Sequence, residues 1–163
     1  EALTVFYQAE NTGTTRSRNL ALRSAKGKAI LILDSDAYMN PGALRGLLEH
    51  LKDHERVGLV APRLTYPDGR FQLSVDAFPT VLRKLKRFLA LREMERQAIA
   101  VGAGTVDYAI SACWLLKADT IAATGLLDER IFYSPEDVDY CIRIWRAGWQ
   151  VHYLPSVSVV HDA

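Results

Sequence analysis

Ala29-Ile-Leu-Ile-Leu-Asp-Ser-Asp36 is the stretch from which the rest of the chain is read: five apolar residues in a row, ending in two carboxylates one residue apart. A short, uninterrupted apolar run of this length, rich in β formers, reads as a strand buried on both faces, the kind found inside parallel sheets. Successive side chains of an extended chain alternate faces, so Asp34 and Asp36 point to the same side if the strand continues. Acids at the carboxyl end of such a strand stand where open α/β sheets bind their ligands.

On both sides of this run strand-like and helix-like segments alternate. Upstream, Leu3 to Gln8 is rich in β formers, Asn11-Thr-Gly13 is a turn, and residues 15–26 read as a helix stopped by Gly27. Downstream, Asn40-Pro41 supplies an N-cap followed by proline at the first helical position, and Leu44, Leu47, Leu48 and Leu51 follow at helical spacing. Val57 to Ala61 reads as a strand closed by Pro62, and Pro67-Asp68-Gly69 as a turn. The spacing predicts an amphipathic helix over 80–98 and a strand from Val106 to Leu116. A short helix capped by Asp119 and ended by Gly125 comes next. Another opens at Ser134-Pro135 and stops at Gly148, and two terminal strands follow, Gln150 to Leu154 and Val157 to Val160. This alternation predicts an α/β layer fold with a mostly parallel sheet flanked by helices. With 163 residues, 49% of them hydrophobic, the chain has the size and balance of one globular domain, 1–163.

Charge and cysteine content narrow the function classes. Twenty basic and 19 acidic residues leave a net charge of +1, which gives no global pull toward nucleic acid. Cys113 and Cys141 form no CxxC pair, so neither a zinc knuckle nor a disulfide scaffold is expected. No apolar run approaches the ~20 residues of a membrane span. Glu1 leads almost at once into the first strand-like run, and we expect the chain to be part of something longer.

Five groups of residues could carry chemistry, each with a plainer alternative. Asp34 and Asp36 offer hard oxygen ligands for Mg²⁺ or Mn²⁺ shared with a diphosphate, or else a solvated turn. Glu136, Asp137 and Asp139 crowd a helix start, where one could serve as a general base; Ser134 and Asp137 also have capping-box spacing, and acids favour such positions anyway. Asn11, Gly13, Arg16, Arg18 and Asn19 form a basic turn into a helix that could hold phosphate, or an exposed turn. His161, after Val159-Val160, is a strand-end histidine that could join the Asp34/Asp36 pair as a metal ligand or be structural. His50, His54 and His152 read as surface or packing residues. The basic residues of 82–96 fit a helix lying on a membrane surface, or one solvated helix face.

In chain order these pieces resemble the family 2 inverting glycosyltransferases, which have the GT-A fold (nucleotide-diphospho-sugar transferase, Rossmann-like), and most closely their non-processive, rhamnosyltransferase-like branch. The resemblance rests on Asn11-x-Gly13 with Arg18-Asn19, the Ala29–Asp36 stretch, Asn40-Pro41-Gly42-Ala43-Leu44, and Pro67-Asp68-Gly69. It continues through Ser111-Ala112-Cys113-Trp114-Leu115, Thr124-Gly125 with Asp128-Glu129, Glu136-Asp137-Val138-Asp139, Arg146-Ala147-Gly148-Trp149 and Val159-Val160-His161. It implies that Asp36 binds the metal, Mg²⁺ or Mn²⁺, and that Asp34 touches ribose or metal. His161 would be a further ligand to metal or diphosphate. Asp137, with Glu136 beside it, would be the general base. Asn11, Gly13, Arg16, Arg18 and Asn19 would lie near the nucleotide, while Ser111 and Cys113 would line the sugar and acceptor side.

The implied reaction is transfer of one sugar, with inversion, from a nucleotide sugar to a saccharide or lipid-linked acceptor in cell-surface polysaccharide synthesis. The donor leaning is dTDP-rhamnose, with UDP- and GDP-sugars open. The implied location is the cytoplasm, at the cytoplasmic face of the membrane. The chain departs from the family in two ways. It lacks the family's first two strands, which implies a weakened donor pocket and strand edges free for self-association; and Ser111 stands where many relatives have glycine. The processive synthases' Gln-x-x-Arg-Trp motif is also absent, which suggests single-sugar transfer. Two other functions compete: a non-catalytic module that keeps the fold and binds sugar or a partner, and a nucleotidyltransferase, for which no Gly-rich phosphate loop with a lysine is seen.

Overall fold

The computed structural model describes residues 3–78 and 102–162. The helix expected over 80–98, with its basic face, lies outside the described residues. In chain order the elements are α1 (Thr14–Ser24), β1 (Ala29–Leu33), β2 (Ala37–Tyr38), α2 (Pro41–Asp53), β3 (Val57–Thr65), β4 (Phe71–Gln72), β5 (Val75–Asp76), β6 (Gly104–Thr105), β7 (Tyr108–Ala109), β8 (Cys113–Lys117), α3 (Ala118–Thr124), α4 (Glu136–Arg146) and β9 (Gln150–His161).

Local signals account for most of these boundaries. The Asn40 side chain accepts a hydrogen bond from the Ala43 N–H at 2.8 Å, with Pro41 at the first helical position, so α2 starts where the sequence says. Gly69 takes φ 83° in the turn between β3 and β4, and Gly125 takes φ 76° where α3 ends. At α4 the expected capping box does not form. Pro135 holds the cap position without a side-chain bond, and Asp137 Oδ1 instead accepts from the N–H of Val138 at 2.7 Å.

The main sheet has the order β1-β8-β3-β9-β2, with β4 added to β3 and β6 to β9; β5 and β7 form a separate pair. It is mixed, which corrects the expectation of a mostly parallel sheet: among the described strands only β3 and β9 pair in parallel. The alternation did lay β1, β3 and β9 in one direction, but β8 inserts antiparallel between β1 and β3. A run of apolar residues does not encode its direction, so this insertion could not be read from it.

Three further boundaries move. β3 continues through Pro62 to Thr65, with a register shift at Pro62/Arg63 that absorbs the missing N–H. That shift on β3 faces the Leu154–Ser158 step of β9, so the two expected terminal strands are one. The expected strand Val106–Leu116 is broken by a turn at Ser111-Ala112 into β7 and β8.

Helices pack on both faces of the sheet. Side chains alternate along β8. Trp114 and Leu116 join Leu22, Leu59, Tyr140, Ile144 and Val151 under α1, α3 and α4, and Leu115 joins Leu47, Leu51, Val60 and Val159 under α2. β1 is less buried than expected, with Leu33 exposed, because its outer edge has no strand partner among the described residues. Leu3 to Gln8 forms no strand; Leu3 is 88% and Tyr7 91% exposed. A β-rich composition yields a strand only where a ladder satisfies its backbone, and none is described here. No helix among the described residues is long and apolar enough to cross a membrane.

Candidate active site

Because β1, β3 and β9 run in one direction, their carboxyl ends share one end of the sheet, and the turn that starts β8 lies at the same end. Leu33 pairs with Cys113, and the next residue, Asp34, donates its N–H to the Ala112 carbonyl at 3.0 Å. Asp34 and Ser111 are thereby side by side. The chain then turns, with Ala37 N–H on the Asp34 carbonyl at 3.1 Å, into β2. β2 pairs antiparallel with the end of β9, Ala37 opposite His161, and the Asp162 N–H reaches the Asp36 carbonyl at 2.9 Å. That short ladder brings His161 to Asp36 across 125 residues of sequence.

Asp34, Asp36 and His161 each offer a ligand atom, and these atoms lie within 4.8 Å of one another, the one such group among the described residues. His161 is 8% exposed, and its Nδ1–H donates to Gln72 Oε1 at 2.9 Å. This bond sets the tautomer, as outer partners do for metal-bound imidazoles. It leaves the Nε2 lone pair facing Asp36 Oδ1 at 3.5 Å. Two acceptors so placed, one of them partly exposed, can share a cation. A set of two carboxylates and one imidazole suits Mn²⁺ and is acceptable to Mg²⁺. Gln72, on β4, has no sequence signal of its own; only the β3–β4 hairpin brings it to β9.

The opposite wall is the start of α4. Glu136 is 5% exposed. Ser111 Oγ donates to it at 3.1 Å, and Arg18 Nη1 donates to Ser111 Oγ at 2.7 Å and to Glu136 Oε1 at 3.3 Å. Arg18 Nη2 bonds Asp34 Oδ1. One guanidinium therefore ties the end of β1, the turn before β8 and the start of α4 together. Beside it, burial pushes the Asp137 carboxyl above the ordinary aspartate range. Glu136 adds to that rise, while the backbone N–H of Val138 and the Arg18 charge oppose it.

These groups line a cavity of about 500 Å³ that holds Arg18, Asp34, Asp36, Ser111, Glu136, Asp137 and His161. It also takes in Tyr133, 73% exposed, an aromatic that no sequence motif marks. The other expected nucleotide-side residues lie outside this lining. Asn19 is fully buried, its amide spent on the Leu127 backbone and Glu129, so it pins α1 to the loop before α4. The Asn11 side chain accepts the Gly13 N–H at 3.0 Å, and Gly13, at φ 86°, lets the Thr14 N–H reach the Phe132 carbonyl. Arg16 stands on the surface near Glu129. Cys113 is buried under the site, its thiol pushed up to about 12 by burial with the Asp34 charge adding to it, and so is no nucleophile.

Residues 1–119 match the family described as Glycosyl transferase family 2. The chain belongs to that family. Among curated proteins it is 32% identical over 158 residues to the pre-mycofactocin glycosyltransferase of Mycobacterium tuberculosis, covering 97% of this chain and 32% of that protein. It is 25% identical over 141 residues to the N-acetylglucosaminyl-diphospho-decaprenol L-rhamnosyltransferase of the same organism, covering 81% of this chain and 46% of that protein. The chain thus spans less than half the length of either relative. Its fold matches a crystal structure of GalNAc-T7 with UDP, GalNAc and Mn²⁺ at TM-score 0.69 and 14% identity, over 97% of this chain and 32% of that one. The α/β GT-A class expected from the motifs is the class of the family 2 chain.

Proposed function

We propose that this chain carries the catalytic part of a metal-dependent inverting glycosyltransferase that moves one sugar from a nucleotide-sugar donor, dTDP-rhamnose or a UDP-sugar, to an acceptor hydroxyl. The observation that carries the reading is the convergence of Asp34, Asp36 and His161 on one side of a cavity whose other wall holds a half-buried carboxylate, Asp137, whose affinity for protons burial raises. In this reading Asp36 and His161 hold the cation, and Asp34 shares it or the ribose. A bound Mn²⁺ or Mg²⁺ supplies charge neutralisation to the departing nucleoside diphosphate.

Asp137 takes the proton of the acceptor hydroxyl as the oxygen bonds to the anomeric carbon from the face opposite the diphosphate. The bond from that carbon to the diphosphate oxygen breaks, and its electron pair leaves with the diphosphate. Asp137's raised affinity for protons suits a base. Arg18 and Glu136 hold the two walls in register. The acceptor we propose is a saccharide or lipid-linked saccharide of cell-surface polysaccharide, at the cytoplasmic face of a membrane. The named substrate of the rhamnosyltransferase relative, a diphospho-decaprenol lipid, supports that class.

The test is calorimetric titration of the wild type and Asp36→Ala with Mn²⁺ and with UDP, dTDP and GDP in turn. Metal-dependent diphosphate binding that the variant loses is the expected result. Binding indifferent to Mn²⁺ and to Asp36 would remove the reading.

A further inference from the structure

At the opposite end of α2 and β9 from the cavity, three imidazoles meet. His50, in the last turn of α2, brings its Nε2 to 2.9 Å from Nδ1 of His152 on β9. His54, one turn further along, stacks on His50 with ring centres 4.1 Å apart, and its Nδ1–H donates to the His50 carbonyl. His152 is 8% exposed, and its Nε2 is buried with no hydrogen-bond partner among the described residues. We propose that His50 and His152 form a proton-sensitive latch between α2 and β9, closed while both rings are neutral and released when His152 takes up a proton.

The argument holds for either tautomer. Only one proton fits between two ring nitrogens at this distance. If His152 donates it, a second proton must go to Nε2, leaving a charged N–H buried without an acceptor among the described residues. If His50 donates it, a second proton must go to His152 Nδ1, and two N–H groups then face each other. Either way the charged ring breaks or strands a bond that joins helix to strand.

Among the described residues the surroundings offer no compensation. From α2 and the turn after it, the ionisable groups acting on the pair are His54, which opposes a further positive charge, and Asp53, which acts on His50 alone. From the strands beside β9, the residues opposite His152 are Val60 of β3 and Thr105 of β6, neither ionisable. The nearby charge on β3, Arg63, acts on Tyr153. Burial first, then the two neighbouring imidazoles, brings His152 down to about 4, and burial lowers His50 as well.

The sign of the linkage follows. An unfolded chain binds a proton at His152 near 6.5, and the folded one does so near 4. Between those values the unfolded state holds more protons, so stability from the latch is complete above about pH 7 and is lost as pH falls toward 4. The latch does not depend on the glycosyltransferase reading.

The test is thermal unfolding of the whole chain from pH 7.5 to 5 in EDTA, wild type against the double variant His50→Leu/His152→Leu, together with an NMR titration of the wild-type imidazole protons. The expected result is a midpoint that falls several degrees further in the wild type than in the double variant, with the His152 ring still neutral at pH 5.5. Equal slopes, or a His152 ring that titrates at or above the ordinary imidazole value, overturn the latch. Should the double variant not fold, the wild-type titration decides alone. A Zn²⁺-induced rise in midpoint that only the wild type shows would make this a metal site and also overturn it.

Discussion

Arg18 is the residue on which most of the cavity wall depends. Its guanidinium is the cation paired with buried Glu136 and also bonds Asp34 and Ser111. Breaking one side of a largely buried pair costs about 3 kcal/mol, because the remaining charge is left uncompensated. We therefore expect Arg18→Gln to lower unfolding free energy by about that amount in urea, and Arg18→Gln/Glu136→Gln to recover part of it. Asp137 gives a second prediction. Since burial raises its affinity for protons, the acid limb of transfer activity should lie above the ordinary aspartate value of 3.8. Asp137→Asn should reduce turnover about 10²- to 10⁴-fold without loss of thermal stability, since it removes a charge that burial disfavours. Activity that survives the substitution would remove Asp137 from the role of base.

Among the elements, the approach of α1 to the loop before α4 is made without slack. A Cβ on Gly13 would lie 2.4 Å from the Phe132 carbonyl oxygen, and the residue is at φ 86°. Gly13→Ala should thus cost about 1–3 kcal/mol and displace the loop that leads into Glu136 and Asp137, which chemical denaturation and the fluorescence of the Trp residues would both register. Asn40→Ala should cost about 1 kcal/mol through the lost α2 cap, with no change in the cavity. These two elements differ in legibility. The α2 start was written locally in Asn40-Pro41. The need for Gly13 was legible only as a turn glycine, because the atom it avoids belongs to a residue 119 positions away.

For the molecule as a whole, the proposed cation ligands Asp34, Asp36 and His161 come from two places that only folding joins. A metal that binds the folded chain and not the unfolded one stabilises it by mass action, by about 2.7 kcal/mol at a hundredfold excess over its dissociation constant. Mn²⁺ should therefore raise the unfolding midpoint by several degrees, EDTA should reverse the rise, and Asp36→Ala and His161→Ala should each abolish most of it. A midpoint indifferent to Mn²⁺ would remove the metal-binding role from the Asp34–Asp36–His161 group.

Local sequence sufficed for most helix boundaries, though not for Leu3 to Gln8, whose β-former run forms no strand. Apolar periodicity, the Asn40 cap and the stop at Gly125 placed α1, β1, α2, α3 and α4 to within a few residues, and the order of short motifs named the family. The carboxylates of the site were legible because they end an apolar strand or begin a helix. Strand direction, partners and residue access were decided by packing. An apolar run such as Cys113–Lys117 satisfies its backbone equally in either direction, so the antiparallel insertion of β8 had no local trace. Asn19 and Cys113 looked available and are buried, while Gln72, Tyr133 and the pairing of His50 with His152 carry no periodic signal at all. Each of these depends on which strand ends and loops are neighbours, and that is settled by long-range ladders and burial rather than by the residues adjacent in the chain.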